Sequence, residues 1–148
     1  MIRGLNHVTL AIGQLDRSIG FYQNLLGCRL LARWPKGAYL LAGDLWLALV
    51  VDVRTRSGPL PEYTHFAFDV APADFAELSQ RILAAKAVIW KDNVSEGDSL
   101  YFLDPDGHKL EIHATSLLSR LQNAGQAPWE GLEIMAEATE FARQAVRS

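Results

Sequence analysis

The spacing of apolar residues along the first third of the chain predicts a strand, a helix and three further strands. Residues 5–12 alternate between the two faces and include Val, Thr and Ile, which is typical of a strand. Apolar residues then recur at helical spacing from Asp16, the predicted N-cap, to Gly27, a predicted helix end. The three further strands are predicted at 28–34, 38–42 and 45–51, with turn residues between them.

The same order of elements starts again after a Gly- and Pro-containing linker at 52–62. A strand at 63–70 precedes a helix that begins near Pro72, because proline is tolerated in the first helical turn. The remaining strands are predicted at 87–91, 99–103 and 109–113, and two closing helices at 116–123 and 132–146. We therefore predict one α+β domain, 1–148, with a βαβββ module at about 1–52, a second at about 63–114 and a helical tail at 115–148.

The side chains with metal-binding chemistry fall on one face of these strands, because neighbouring residues of a strand point to opposite faces. His7 lies opposite the apolar face of the first strand, and His65 takes the same place in the second module. Glu111 lies between Leu110 and Ile112, so its carboxylate points away from the face that packs on the helices. We expect the modules to form a cup-shaped mixed sheet whose inner face presents His7, His65 and Glu111 together.

Two imidazoles and one carboxylate suit Mn, Fe, Zn, Co or Ni and leave coordination positions open. A carboxylate on the inner wall of such a cup is costly unless it is paired or bound to a metal. Leu47, which we match with Glu111 in the repeat, supplies no fourth ligand. The set therefore predicts a divalent metal site that accepts a chelating group from outside the protein.

Composition and charge exclude several classes of partner and location for the protein. The net charge of the 148 residues is −3, which argues against a general nucleic-acid binder because such proteins need a basic face. No apolar run approaches the ~20 residues that cross a bilayer, and residues 1–7 lack a secretory signal. Cys28 is the single cysteine, which fits a reducing compartment. We expect a cytoplasmic protein that binds neither nucleic acid nor membrane.

Several segments have sequence motifs that are more specific than the fold alone requires. They are NHVTLA at 6–11, GAYL at 37–40, GDLWL at 43–47, YTHFAF at 63–68, SEGDS at 95–99 and YFLDPDGHKLE at 101–111. Together they resemble the fosfomycin-resistance glutathione transferases of the vicinal oxygen chelate superfamily, over about residues 1–130. The resemblance implies a domain-swapped homodimer, with Mn²⁺ held by His7 of one subunit and by His65 and Glu111 of the other. It also implies transfer of glutathione to the epoxide of fosfomycin, with K⁺ as a second ion.

The resemblance also implies roles for residues at matching positions. Those expected to bind the phosphonate substrate are Lys91, Ser95, Ser99, Tyr101 and Arg120, with Thr9 near the epoxide oxygen and Trp46 in the cavity wall. Those expected around potassium are Asn93, Ser95, Glu96, Gly97 and Ser99. Those expected on the thiol side are Trp34, Lys36 and Tyr39, and Thr9 and Tyr39 are the expected catalytic residues.

The expected charges fit this chemistry on general grounds. A phosphonate carries two negative charges near neutral pH, and Lys91, Arg120 and a divalent metal are appropriate counter-charges. Opening an epoxide puts negative charge on its oxygen, where a metal acts as a Lewis acid. A related branch that hydrates the epoxide has an extra glutamate around position 37, and Gly37 offers no such base.

Three departures from the family pattern, at Phe66, Val94 and the Pro35-Lys36 pair, lie on the thiol side and leave the identity of the thiol open. Two other functions remain alternatives. A ring-cleaving dioxygenase with non-haem Fe(II) uses the same ligand set but has no evident use for two cations, Lys91 and Arg120. A non-catalytic drug-binding protein of the same fold has no evident use for the metal ligands.

Overall fold

Two successive βαβββ modules occupy most of the chain in the computed structural model, which describes residues 1–94 and 97–145. The first contains β1 (His7–Ile12), α1 (Leu15–Ile19) with a π-helical continuation (Gly20–Leu25), β2 (Arg29–Trp34), β3 (Gly37–Ala42) and β4 (Leu45–Val51). The second contains β5 (Phe66–Asp69), α2 (Pro72–Ala84), β6 (Ile89–Lys91), β7 (Ser99–Leu103) and β8 (Lys109–His113). The tail contains α3 (Leu117–Gln126) and α4 (Glu137–Ala145).

The two modules have the same strand order, which confirms the predicted repeat. The sheets run β1-β4-β3-β2 and β5-β8-β7-β6. The opening strand of each module pairs in parallel with its last strand, and the other pairs are antiparallel. Each sheet is therefore mixed and open, with β1 or β5 at one edge. None of the described helices has the length and apolar character that a membrane span requires.

The strands predicted at 45–51, 99–103 and 109–113 have these bounds in the structure. The opening strands are shorter than predicted, and His65 precedes β5 instead of lying within it. At Tyr63, which the prediction placed in this strand, the backbone carbonyl forms a hydrogen bond with the His65 ring at 2.8 Å. The predicted strands at 28–34 and 87–91 begin later, at Arg29 and Ile89, and the one at 38–42 begins a residue earlier.

The helix starts agree with the predictions to different degrees, and α2 begins at Pro72 as predicted. Asp16 is not the N-cap of α1, because the helix begins after Gln14 and the Asp16 carboxylate accepts a hydrogen bond from Arg33 instead. The helix predicted at 116–123 begins one residue later, at Leu117, and Ser116 is its N-cap, with its hydroxyl accepting from the backbone N–H of Ser119. The last helix begins at Glu137, five residues later than predicted, and residue 146 lies outside the described part of the chain.

The helix-packed faces of the two sheets meet in one core. Leu10, Leu49, Phe102 and Leu110 are at most 3% exposed there and come from both modules. Cys28 is part of this core, and burial raises the pKa of its thiol to about 11. The thiol is therefore protonated near neutral pH and serves packing.

A carboxylate cluster in the turn between β7 and β8 fastens the second module to the first. Asp104 accepts a hydrogen bond from the Tyr22 hydroxyl at 2.7 Å, and both side chains are buried. Burial, followed by the charge of Asp104, raises the pKa of Tyr22 well above its ordinary value. Asp106 accepts from Arg17 at 2.6 Å and from the backbone N–H of Gly13 at 3.1 Å. These bonds hold the turn against α1 and the end of β1.

We predict that Arg17→Met lowers the free energy of unfolding by about 1–3 kcal/mol, because it leaves the buried Asp106 carboxylate with fewer donors. Urea titration at a fixed protein concentration measures the change. Arg33→Met is the matched control, since Arg33 pairs with Asp16 in an ion pair whose side chains are 56% and 85% exposed. The control should change the free energy by less than about 0.5 kcal/mol. Equal effects of the two substitutions would contradict the docking role of Arg17.

Candidate metal centre and anion pocket

The polar face of β8 carries the most buried acidic side chain of the candidate site. Leu110 and Ile112 are 0% and 1% exposed and lie in the core, so Glu111 between them points to the opposite face. Its residue exposure is only 5%. A carboxylate this buried needs partners of positive or hydrogen-bond-donating character.

His65 is the first partner of Glu111. Its Nε2 lies 3.0 Å from Glu111 Oε2, and its Nδ1 lies 2.8 Å from the backbone carbonyl of Tyr63. A carbonyl only accepts, so Nδ1 carries the proton of a neutral ring and directs the Nε2 lone pair toward the carboxylate. Two facing electron-pair donors at this distance require a cation between them, either a proton or a metal ion. The pair therefore fits a divalent metal ion.

The second carboxylate oxygen of Glu111 is held from the other side. Ser99 Oγ donates to Glu111 Oε1 at 2.7 Å, and His113 Nδ1 lies 3.1 Å from the same oxygen. Glu111 thus presents Oε2 to His65 while Oε1 is anchored, an arrangement typical of carboxylates that bind a metal through one oxygen.

A cavity of about 370 Å³ opens beside this pair. Its walls bring together five of the predicted site residues: His65, Lys91, Tyr101, Glu111 and Arg120. Its other polar walls are Tyr63, His113, Thr115 and Ser116. Two cationic side chains and a carboxylate–histidine pair therefore share one cavity.

Lys91 is held over this cavity by aromatic residues. Its Nζ donates to the Tyr63 hydroxyl at 2.7 Å and lies 4.6 Å from the centre of the Tyr101 ring. The hydrogen bond to Tyr63 raises the pKa of Lys91 above its ordinary value. Lys91 is consequently a fixed positive charge near neutral pH.

The other predicted ligand and thiol-side residues lie on the first sheet. Each strand of that sheet contributes one ring to a continuous row, in the order Trp34, Tyr39, Trp46 and His7. Successive ring centres are 4.8, 5.0 and 4.5 Å apart. His7 is exposed beside Trp46, Thr9 is exposed on the same strand, and Lys36 is exposed in the β2–β3 turn.

The structure does not bring His7 to the His65–Glu111 pair within one chain. Among residues 1–94 and 97–145, no three His, Cys, Asp or Glu side chains are arranged to hold a metal ion. His7 Nδ1 instead lies 2.7 Å from the Asn6 side-chain oxygen. One chain therefore contains two of the three predicted ligands at one place and the third at another.

The loop predicted to bind potassium is described only in part. Asn93 Nδ2 donates to the carbonyl of Gly97 at 2.8 Å, which closes the two ends of the loop on each other. Ser95 and Glu96 lie outside the described residues. Ser99, at the end of the loop, directs its hydroxyl to Glu111.

The strand register corrects the predicted match between Leu47 and Glu111. Thr9 is paired with Ala48 in the first sheet, and the corresponding pair in the second sheet is Ala67 with Glu111. Ala48 thus takes the place of Glu111, whereas Leu47 is 1% exposed and lies in the core. The conclusion about a fourth ligand survives, because an alanine side chain has no donor atom.

Two residues of the site were missed from the sequence: Tyr63, which contacts both His65 and Lys91, and Thr115, which contacts His113. His113 shares the parity of Glu111, which left a supporting role open from the sequence, and it lies 3.1 Å from Glu111 Oε1. The signal available in the sequence was their place in the period-two alternation. Tyr63 precedes His65 by two positions, and His113 and Thr115 follow Glu111 by two and four.

The paired βαβββ modules belong to a family whose model spans most of the chain. The model of the Glyoxalase/Bleomycin resistance protein/Dioxygenase superfamily matches residues 4–112. The chain belongs to this superfamily.

Relatives with assigned activities are close in sequence. The chain is 52% identical over 134 residues to the glutathione transferase FosA of Serratia marcescens, with 89% of this chain and 95% of that protein covered. It is 36% identical over 125 residues to the metallothiol transferase FosB of Staphylococcus saprophyticus, with 82% and 83% covered.

Solved structures give the same grouping. A mutant of the fosfomycin resistance protein FosX from Listeria monocytogenes, complexed with Mn(II) and 1S,2S-dihydroxypropylphosphonic acid, matches with a TM-score of 0.72 and 28% identity. The match covers 82% of this chain and 99% of that one. FosX from Mesorhizobium loti matches with a TM-score of 0.68 and 30% identity, over 82% and 99% of the two chains.

Proposed function

We propose that the protein inactivates fosfomycin by transferring glutathione to its epoxide, with a divalent metal ion, Mn²⁺ in the first instance. The observation that carries the proposal is the His65–Glu111 pair in the same cavity as Lys91 and Arg120. The 52% identity to a glutathione transferase supports the choice of thiol. Because glutathione is a cytoplasmic thiol, we place the reaction in the cytoplasm.

His65 Nε2 and Glu111 Oε2 are the proposed metal ligands of one chain, and His7 is the proposed third ligand. A bound divalent metal supplies Lewis-acid stabilisation of the negative charge that develops on the epoxide oxygen. Thr9, two residues from His7 on the same face of β1, is the proposed hydrogen-bond donor to that oxygen. The reaction forms a bond from the thiolate sulfur to an epoxide carbon, breaks the carbon–oxygen bond and leaves an alkoxide that takes up a proton.

The phosphonate is the proposed occupant of the cationic end of the cavity. Tyr63 and Tyr101 position Lys91 Nζ. Arg120, in the first turn of α3, lines the same cavity. Tyr101 adds a hydroxyl group, and Ser95 is the proposed second donor of this kind. Ser99 donates its one hydroxyl proton to Glu111 Oε1, so its proposed part is to hold that carboxylate beside the phosphonate. A ring-cleaving dioxygenase acting on an uncharged ring has no use for these two cations, so the anion pocket favours phosphonate chemistry.

A homodimer is the proposed assembly, because each chain separates His7 from the other two ligands. β1 and β5 are edge strands of their sheets, and each carries or directly follows one of the histidines. A second copy with its β5 edge beside this β1 edge supplies the missing partner in both directions. Exchange of modules between copies, with two identical sites, is therefore part of the proposal.

The thiol is proposed to lie along the aromatic row of the first sheet. Tyr39 is 39% exposed between Trp34 and Trp46, so its hydroxyl is available to hydrogen-bond the incoming sulfur. Lys36 adds a cation at the end of the row that suits a glutathione carboxylate.

Water is disfavoured as the nucleophile because position 37 cannot supply a base. A β-carbon on Gly37 would lie 2.4 Å from the Trp34 ring and 2.6 Å from the Leu49 carbonyl. No larger side chain fits there without displacing backbone, which favours thiol transfer over hydration.

Complementation between two inactive variants tests the shared site. We expect His7→Ala and Glu111→Gln each to lower the rate of fosfomycin-dependent glutathione loss by more than about 100-fold. After subunit exchange, a mixture of the two should regain about one quarter of the wild-type rate, since mixed dimers contain one intact site. Proton NMR of fosfomycin with Mn²⁺, K⁺ and glutathione measures the rate, and L-cysteine and water are the comparison nucleophiles.

The control mixture combines His65→Ala with Glu111→Gln. These two ligands come from the same chain, so every mixed site is damaged and the activity should stay low. Recovery in this control, or none in the first mixture when each variant is folded, would contradict the shared site.

A matched pair of lysine variants tests the anion pocket. We expect Lys91→Met to weaken fosfomycin binding by about 10–100-fold and Mn²⁺ binding by less than about threefold, because it removes a charged donor and no ligand. Lys109→Met is the control, since Lys109 lies over Trp90 and donates to the Glu62 carbonyl. Calorimetry on the Mn²⁺-loaded protein measures both. Equal losses of metal and fosfomycin affinity in Lys91→Met would contradict the assignment.

Potassium is proposed to bind the loop of Asn93, Ser95, Glu96, Gly97 and Ser99. We expect replacement of K⁺ by Na⁺ at constant ionic strength to lower the transfer rate, because a smaller ion does not fill a loop spaced for a larger one. Asn93→Ala should reduce the difference between the two ions, since it releases the Gly97 carbonyl. A wild-type rate that is the same in both salts would remove potassium from the proposal.

A further inference from the structure

We propose that His113 and Thr115 are positioning residues that hold the Glu111 carboxylate in its metal-binding orientation. The inference rests on the proposed function, because it concerns the same metal site. Neither residue is a proposed metal ligand. Their effect is transmitted through one oxygen, Glu111 Oε1.

The hydrogen bonds form a chain from Thr115 to Glu111. Thr115 Oγ1 lies 2.7 Å from His113 Nε2. His113 Nδ1 lies 2.7 Å from Ser99 Oγ and 3.1 Å from Glu111 Oε1, while Ser99 donates its one hydroxyl proton to Oε1 at 2.7 Å.

Proton counting assigns the direction of each bond. The carboxylate only accepts and the Ser99 proton is already used, so a neutral His113 must carry its proton on Nδ1. Its Nε2 is then an acceptor, and Thr115 donates to it. The hydroxyl of Thr115 thus selects the His113 tautomer that can support Glu111.

Anchoring Oε1 decides where Oε2 points. A buried carboxylate that rotates about its last torsion loses both contacts, and Glu111 has 5% exposure with little water to replace them. With Oε1 fixed by Ser99 and His113, Oε2 stays 3.0 Å from His65 Nε2 before any ion arrives. Such outer contacts typically change metal affinity by about 10–100-fold.

Thr115 is itself held in place by the end of the 93–99 loop. A β-carbon on Gly97 would lie 2.3 Å from Thr115 Cγ2, so the absence of a side chain at Gly97 makes room for the Thr115 methyl group. The backbone N–H of Ala114 also donates to the Asp98 carbonyl at 3.0 Å. The close approach of Gly97 and the backbone hydrogen bond of Ala114 hold Thr115 where its hydroxyl contacts His113.

The test measures Mn²⁺ affinity of the full-length protein without fosfomycin or thiol, by the electron paramagnetic resonance signal of free Mn²⁺. We expect His113→Phe to weaken Mn²⁺ binding by about 10–100-fold. His113→Asn should recover most of the affinity, because its amide places a donor near the position of Nδ1. Thr115→Val, which keeps the shape and removes the hydroxyl, should weaken binding by roughly 3–10-fold, and Thr115→Ser should bind as the wild type does.

Thermal unfolding of the metal-free proteins separates positioning from folding, and the two Thr115 variants decide the question if the His113 variants do not fold. Wild-type affinity in both Thr115→Val and His113→Phe would overturn the inference. Weak binding in these variants, together with a wild type that binds Mn²⁺ but transfers no glutathione, would support the inference and defeat the proposed function. A wild type that binds no Mn²⁺ would defeat both.

Discussion

Burial of the Glu111 carboxylate is the constraint on which the second module depends. The side chain is nearly enclosed, and an unpaired charge in such a place costs several kcal/mol. Its partners come from β7 (Ser99), from the segment before β5 (His65) and from β8 itself (His113). These three segments must therefore stay aligned so that their side chains reach Glu111 together. The same requirement for positive charge is the reason we propose the pair as a site for a divalent ion.

Period-two alternation explains why much of the fold could be predicted. In β8, apolar Leu110 and Ile112 flank Glu111, so the bounds and the polar face followed from the residues alone. Element ends were harder, because individual hydrogen bonds decide them. Asp16 resembles an N-cap in sequence, but its carboxylate is paired with Arg33, which is distant in the chain.

The sequence could predict which site residues share one face of the sheet, but not the contacts between their side chains. The sequence places His65 and Glu111 on one face, and the structure confirms their contact. The match of Leu47 with Glu111 was wrong by one residue, because pairing with β1 sets the register, and a one-residue slip exchanges the two faces of a strand. Contacts such as Tyr63 with Lys91 depend on side-chain torsions, which no spacing pattern encodes.

The way the modules are joined also explains why His7 lies apart from His65 and Glu111 within one chain. Asp104 and Asp106 fasten the β7–β8 turn to α1 and its π-helical continuation. The helix-packed faces of both sheets are buried in the common core. The polar faces and the edges of β1 and β5 are left for other contacts. With the third ligand supplied by a second copy, as proposed, an ion that binds only the assembled site stabilises the dimer by mass action. Metal loading and assembly are then coupled, so chain concentration affects metal affinity, and added metal shifts free chains toward dimer.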